Sequence, residues 1–66
     1  MDYTNSQIKQ LIIEHLHSQR DRRILYRRLI DGITYERLSE EFQLSPSQIK
    51  RIIYKSEQIL FQHLPG

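Results

Sequence analysis

Leu44-Ser45-Pro46-Ser47-Gln48 carries the tightest constraint in this chain. A serine able to cap, a proline at the first helical position and a glutamine three residues after the serine together specify a helix start. The proline's missing N–H costs nothing there, because that donor has no partner within the helix. Just upstream, Tyr35, Leu38 and Phe42 recur at helical spacing in a short segment that Thr34 can cap. Two helices joined by about three residues must cross steeply. The chain is therefore expected to fold around a helical corner.

Two more helices follow from periodicity. Ile8, Leu11, Ile12 and Leu16, with His15, mark one buried stripe on a helix over about 5–17, capped by Thr4, Asn5 or Ser6. Ile24, Leu25, Leu29 and Ile30 mark a second over about 20–31, stopped at Gly32. The corner helices are expected over about 35–42 and 46–63. In the last of these Ile49, Ile52, Ile53, Ile59 and Leu60 form an inward stripe extending to Leu64, with Pro65 and Gly66 as the stop. At about 18 residues, roughly 27 Å, that helix outruns its short partner. Helix one is then expected to cover its far end. The fold class is all-α, a small four-helix bundle in a single domain spanning 1–66.

Length and composition limit what such a bundle does. A chain of 66 residues buries only about 60% of its unfolded surface, so its stability is marginal. It has no cysteine, hence no disulfide or thiolate metal site, which suits a reducing cytoplasm. No apolar run approaches the roughly 20 residues of a membrane span, and no basic region precedes the first apolar residues, so neither a membrane partner nor a secretory signal is expected. The net charge of +2 is small but arranged in blocks. Arg20 to Arg28 holds five arginines against one acid, Asp31 to Glu41 four acids against one arginine, and Lys50 to Lys55 is basic again. Such alternation suggests one face for a polyanion and another for internal pairing.

Counting Tyr35 as the first position of a helix-turn-helix, apolar side chains are wanted where Leu38, Phe42, Leu44, Ile49 and Ile52 stand. These meet inside the corner, where a lone charge would be buried without a partner. Ser39 is small at the point of closest crossing. Gln43 falls where the backbone turns left-handed, a conformation glycine favours and a side chain pays about 1 kcal/mol to adopt.

The stretch DGITYERLSEEFQLSPSQIKRIIYKSEQIL, preceded by its arginine-rich helix, resembles the fourth conserved region of sigma-70-type factors and small phage or prophage regulators of low-GC bacteria carrying the same module. The resemblance covers about Arg20 to Leu60 and leaves helix one unexplained. It rests on Gly32, Thr34-Tyr35-Glu36, Leu38, Glu40-Glu41, Leu44-Ser45 and the basic apolar helix after them. It implies a double-stranded DNA-binding transcriptional regulator, associated with the nucleoid in the cytoplasm, whose fourth helix enters the major groove. The other sigma regions are absent, so a full sigma factor is not implied.

On that implied docking, Arg51 and Gln48 are the base readers, since arginine grips guanine O6 and N7 and glutamine pairs with adenine. Ser47 and Tyr54 stand on the same face, Ser47 within reach of base or phosphate. Ser45, Lys50 and Lys55 fall to phosphates, as do Thr34 and Tyr35 at the start of the third helix. The plain reading of this face is a solvated amphipathic surface; the corner spacing and the capping signal favour DNA. Within the arginine block, Arg20, Arg23 and Arg27 share a stripe, Arg28 lies beside it and Arg22 is turned further away. Arg20 and Arg23 are expected to reach the DNA backbone, Arg27 and Arg28 to pair with carboxylates.

The remaining features carry less. His15 and His17 point to different sides of a helix and, with His63, are expected to be surface or boundary residues rather than metal ligands. Glu36 and Glu40 share a face but have no pocket to raise a pKa. No nucleophile-base pair or glycine-rich phosphate loop appears, so neither an enzyme nor a cofactor is expected. Phe61, with Leu60 and Leu64, either packs against Ile8, Leu11, Ile12 and Ile13 or forms a homodimer surface with helix one. An alternative to DNA binding is an adaptor that grips RNA polymerase or another regulator.

Overall fold

The computed structural model describes residues 4–63, and its order is α1 (Asn5–His15), α2 (Gln19–Leu29), α3 (Tyr35–Phe42) and α4 (Pro46–Gln62), with no strand among the described residues. Each helix opens on the cap its sequence offers. Thr4, Ser18, Thr34 and Ser45 accept from the backbone N–H three residues on. At Thr4 and Ser45 the capping box is complete, with Gln7 and Gln48 returning the bond to the cap's own N–H.

The helix ends differ from the expected bounds at α1 and α2. α1 stops at His15 instead of His17, because Leu16 is extended and Arg22 reaches back from α2 to donate to the carbonyls of Ile13 and Leu16. Arg22 is thus the C-terminal cap of α1, not a side chain turned away. α2 stops at Leu29. The chain then turns through Gly32 at φ 69°, and the Ile33 N–H closes onto the Arg27 carbonyl at 3.1 Å. α3 ends at Gln43 in the left-handed conformation (φ 56°, ψ 42°), and the Leu44 N–H bonds the Ser39 carbonyl at 3.0 Å. That six-to-one bond is a Schellman closure, built here without glycine.

The core is contributed by all four helices: Ile12 and Leu16, Ile24 and Leu25, Leu38, then Ile49, Ile53 and Leu60. Burying each of these fully contributes about 1.5–3 kcal/mol. Ile24, Leu25, Leu38 and Ile49 lose all solvent contact, so the α3–α4 corner closes directly on α2. α4 packs against each of the other three helices, and α2 against α1 and α3, but α1 and α3 do not meet among the described residues. The Cα radius of gyration is 11.5 Å, close to the roughly 11 Å of a compact chain this long.

One part of the expected stripe is wrong. On α4 the buried positions are Ile49, Ile53, Ser56 and Leu60, while Ile59 is 39% exposed. Steps of four, three and four keep one face inward at 3.6 residues per turn, and Ile59 falls about 100° off that face. The polar Ser56 takes the place assumed for an isoleucine. Phe61 is 57% exposed and Ile13 58%, so neither is core. Leu64, Pro65 and Gly66 lie outside the described residues. No helix among those described is long and apolar enough to cross a membrane.

Candidate functional site

The α4 start is held rigidly by its cap. Gln48 N–H donates to Ser45 Oγ at 3.2 Å, and Ser45 N–H donates to Gln48 Oε1 at 2.9 Å. With Ile49 and Ile53 fixed inward, the first turns of α4 turn Ser47, Gln48, Lys50, Arg51, Tyr54 and Lys55 to solvent. Tyr54 is 66% exposed. No acid occurs between Glu41 and Glu57 in the sequence, so this surface carries Lys50, Arg51 and Lys55 unopposed. None of the three makes a salt bridge among the described residues.

The cap limits what Gln48 offers. Its carbonyl oxygen is already engaged, which leaves the amide N–H groups as its free donors. Pairing with adenine through both ends of the amide would require opening the capping box. Ser45 and Thr34 also spend their oxygens on caps, with Thr34 accepting from Arg37 N–H at 3.2 Å. Each hydroxyl proton remains available to an anion.

Tyr35 joins the surface through cations. The Arg28 guanidinium lies 4.4 Å from its ring centroid and Lys50 Nζ lies 5.7 Å away. Among the described residues Arg28 pairs with no carboxylate, contrary to expectation. It donates to the Ile33 carbonyl at 3.0 Å and covers the half-buried Tyr35 ring. The loop after Gly32 brings a backbone acceptor and an aromatic face closer than any acid. Arg27 does pair as expected, bonding Glu41 and Asp31. Those bonds hold its guanidinium above the ordinary arginine range and hold Glu41 below the ordinary glutamate value.

The two arginines assigned to the backbone part company. Arg20 borders a cleft of about 390 Å³ between the α1–α2 link and α4, together with Arg51 and Lys55. Arg23 instead borders a groove of about 800 Å³ between α1 and α3, which no α4 side chain lines. A step of three residues turns a helix side chain by about 60°, enough to separate them. The structure therefore sets Tyr35 beside Lys50 and Arg20 along one cleft with Arg51 and Lys55, and leaves Arg23 on a different groove.

The histidines are less ordinary than the sequence suggests. The His15 and His63 rings are stacked, with centroids 3.7 Å apart and planes within 1°. His15 and His17 also border the same cleft as Arg20. Because α1 ends at His15, the argument that they point apart does not apply to His17. No cluster of three or more metal-ligating side chains occurs among the described residues. Compared with known proteins, the chain matches no family model, no curated protein and no solved structure.

Proposed function

We propose that this chain is a sequence-specific double-stranded DNA-binding protein of transcriptional regulation, working through α3 and α4 as a helix-turn-helix of the sigma-70 region 4 type. The observation that carries the reading is the exposed, acid-free face of α4, presented directly after a rigid cap and backed by the fully buried Leu38 and Ile49. In such motifs the N-terminal residues of the second helix meet base edges while neighbouring groups grip the backbone.

In this reading Arg51 reads a guanine, and Gln48 offers an amide N–H to a base acceptor. Ser47 and Tyr54 complete the groove contact. Lys50, Lys55, Arg20, Ser45 and the Thr34–Tyr35 turn hold phosphates. The action is occupancy of a site, with no bond made or broken and no cofactor.

A fluorescence titration with mixed-sequence duplex tests this directly. About four to six neutralised phosphates give a log–log salt slope of about −4 to −5, and binding is expected below about 100 µM at low salt. Selection from a random duplex pool then returns a common sequence, and Arg51→Ala relaxes it. Absence of binding at about 50 mM salt overturns the reading.

A second reading is supported by the groove between α1 and α3, where Ile13, Tyr26 and Phe42 offer apolar surface. There the chain acts as an adaptor for RNA polymerase or another regulator. Exposed Ile13 and Phe61 also keep a homodimer through α1 and the end of α4 as a proposal, one that would double the contact with DNA. Sedimentation at rising concentration tests it.

A further inference from the structure

The cleft between the α1–α2 link and α4 brings together groups that the fold itself does not need. Arg20 comes from α2, Arg51 and Lys55 from α4, His15 from the end of α1 and His17 from the link. The one acid on its wall, Asp21, is already held by Arg20 at 3.2 Å. Beside the cleft-lining His15, Glu14 accepts from Gln10 at 2.6 Å and lies 3.7 Å from His15 Nε2. With Arg51 given to a base in the DNA reading, Arg20 and Lys55 remain for an anion beside one engaged acid across about 390 Å³, room for a phosphate group with several waters at about 30 Å³ each.

The imidazoles give the cleft a dependence on protons. A neutral histidine has one N–H donor, whereas the protonated ring donates from both nitrogens and carries a charge. A phosphate oxygen only accepts, so it favours the protonated form. His17 is exposed and, among the described residues, has no ring stacked on it. His15 lies flat on His63, so two charges in that stack would repel at 3.7 Å.

We propose that this cleft is a phosphate-binding site whose hold on the anion is coupled to proton uptake at His15 and His17. The inference rests on the DNA-binding reading, in which the phosphate is a backbone phosphodiester beside the groove; a free phosphate presents the same chemistry. Affinity rises as pH falls, because the bound state takes up protons that the free state lacks.

Anisotropy titration of wild type with a mixed-sequence duplex at pH 7.5, 6.5 and 5.5, at fixed ionic strength, tests it. Binding tightens by about tenfold across that range for one linked proton. His15→Gln combined with His17→Gln flattens the profile. His63→Gln breaks the same stack but does not border the cleft, and it keeps the pH dependence. Circular dichroism at each pH checks that each variant is folded. A pH-independent affinity, or a dependence that survives the double substitution, overturns the proposal and leaves DNA binding standing. If duplex fails to bind at any pH, the DNA reading falls. Titration with inorganic pyrophosphate, followed through the imidazole ¹⁵N resonances, then decides the cleft. Shifts confined to His15 and His17 support it with free phosphate as the source, and unmoved resonances overturn it.

Discussion

Arg27 Nη2 lies 2.7 Å from Glu41 Oε1, and its Nη1 lies 2.9 Å from Asp31 Oδ2, so one guanidinium ties the end of α2 to the end of α3. Glu41 is held below the ordinary glutamate value mainly by these bonds from Arg27, with smaller help from the charges of Arg27, Arg37 and Arg23 and against its own desolvation. A carboxylate with a lowered folded pKa binds fewer protons than in the unfolded chain. Its stabilisation is fully present above about 4.5 and is lost as pH falls through the folded value.

Glu41→Gln is therefore expected to destabilise the fold most at neutral pH and least in acid. Urea denaturation of both proteins between pH 7 and pH 3 measures the gap. It narrows as the wild-type carboxylate protonates. A gap that stays constant with pH would show that Glu41 acts by shape alone.

Gln43 is the one described non-glycine residue with positive φ. Gln43→Gly relieves the left-handed strain, which costs a side chain about 1 kcal/mol or more, while the freer unfolded chain offsets part of the gain. A net stabilisation of about 0.5 kcal/mol is expected, a rise in melting temperature of a few degrees for a domain this small. A fall in melting temperature would mean that the Gln43 side chain contributes something its backbone geometry does not reveal.

Truncating Leu38 strikes the corner. Leu38→Ala costs about 2–5 kcal/mol through lost burial and the cavity left behind, against a total of roughly 3–10 kcal/mol for a chain this long. The variant is expected to be largely unfolded or strongly weakened by urea titration. A loss below about 1 kcal/mol would show that α3 and α4 rearrange to fill the space.

What the sequence revealed, and what it hid, divides by range. The α4 start was legible because Ser45, Pro46 and Gln48 act on one another within a single turn. The left-handed Gln43 followed from its place between Phe42 and Leu44 in the corner. Arg22 was not legible, since its partners lie six and nine residues back and depend on how α1 meets α2. The His15–His63 stack depends on α1 meeting the far end of α4, which no local pattern encodes. Ser56 is not legible as a core position, because a small polar residue on an apolar stripe looks like a surface one. The separation of Arg20 from Arg23 needed the walls of two different clefts. For the proposed DNA face, the residue types were readable, but not which of their atoms the caps had already engaged.

Arg22 offers a direct check on that long-range part. Arg22→Ala removes both donors to the end of α1, where hydrogen bonds from a charged group are worth about 1.5–3 kcal/mol when buried and less at this half-buried site. Hydrogen exchange is expected to speed up first in the last turn of α1, with the amides of α4 little changed. Uniform acceleration across all helices would mean that Arg22 supports the whole bundle instead of one helix end.

Gln48 holds two roles that one substitution separates. Glutamate fills the third position of a capping box as well as glutamine does and adds a negative charge at a helix start, which the helix dipole favours. Gln48→Glu should therefore keep or slightly raise stability, whereas Ser45→Ala should lose about 1 kcal/mol by removing the cap itself. On the proposed DNA surface the order reverses. The new carboxylate stands among Ser47, Lys50 and Arg51, turned toward a polyanion, so duplex affinity drops by at least about tenfold at low salt, while Ser45→Ala gives up one phosphate contact besides its stability and weakens binding less. Melting curves and duplex titrations on the two variants give four numbers whose pattern decides the matter. If Gln48→Glu binds duplex as tightly as wild type, the outer face of α4 does not meet DNA, and the proposed function fails at its central contact.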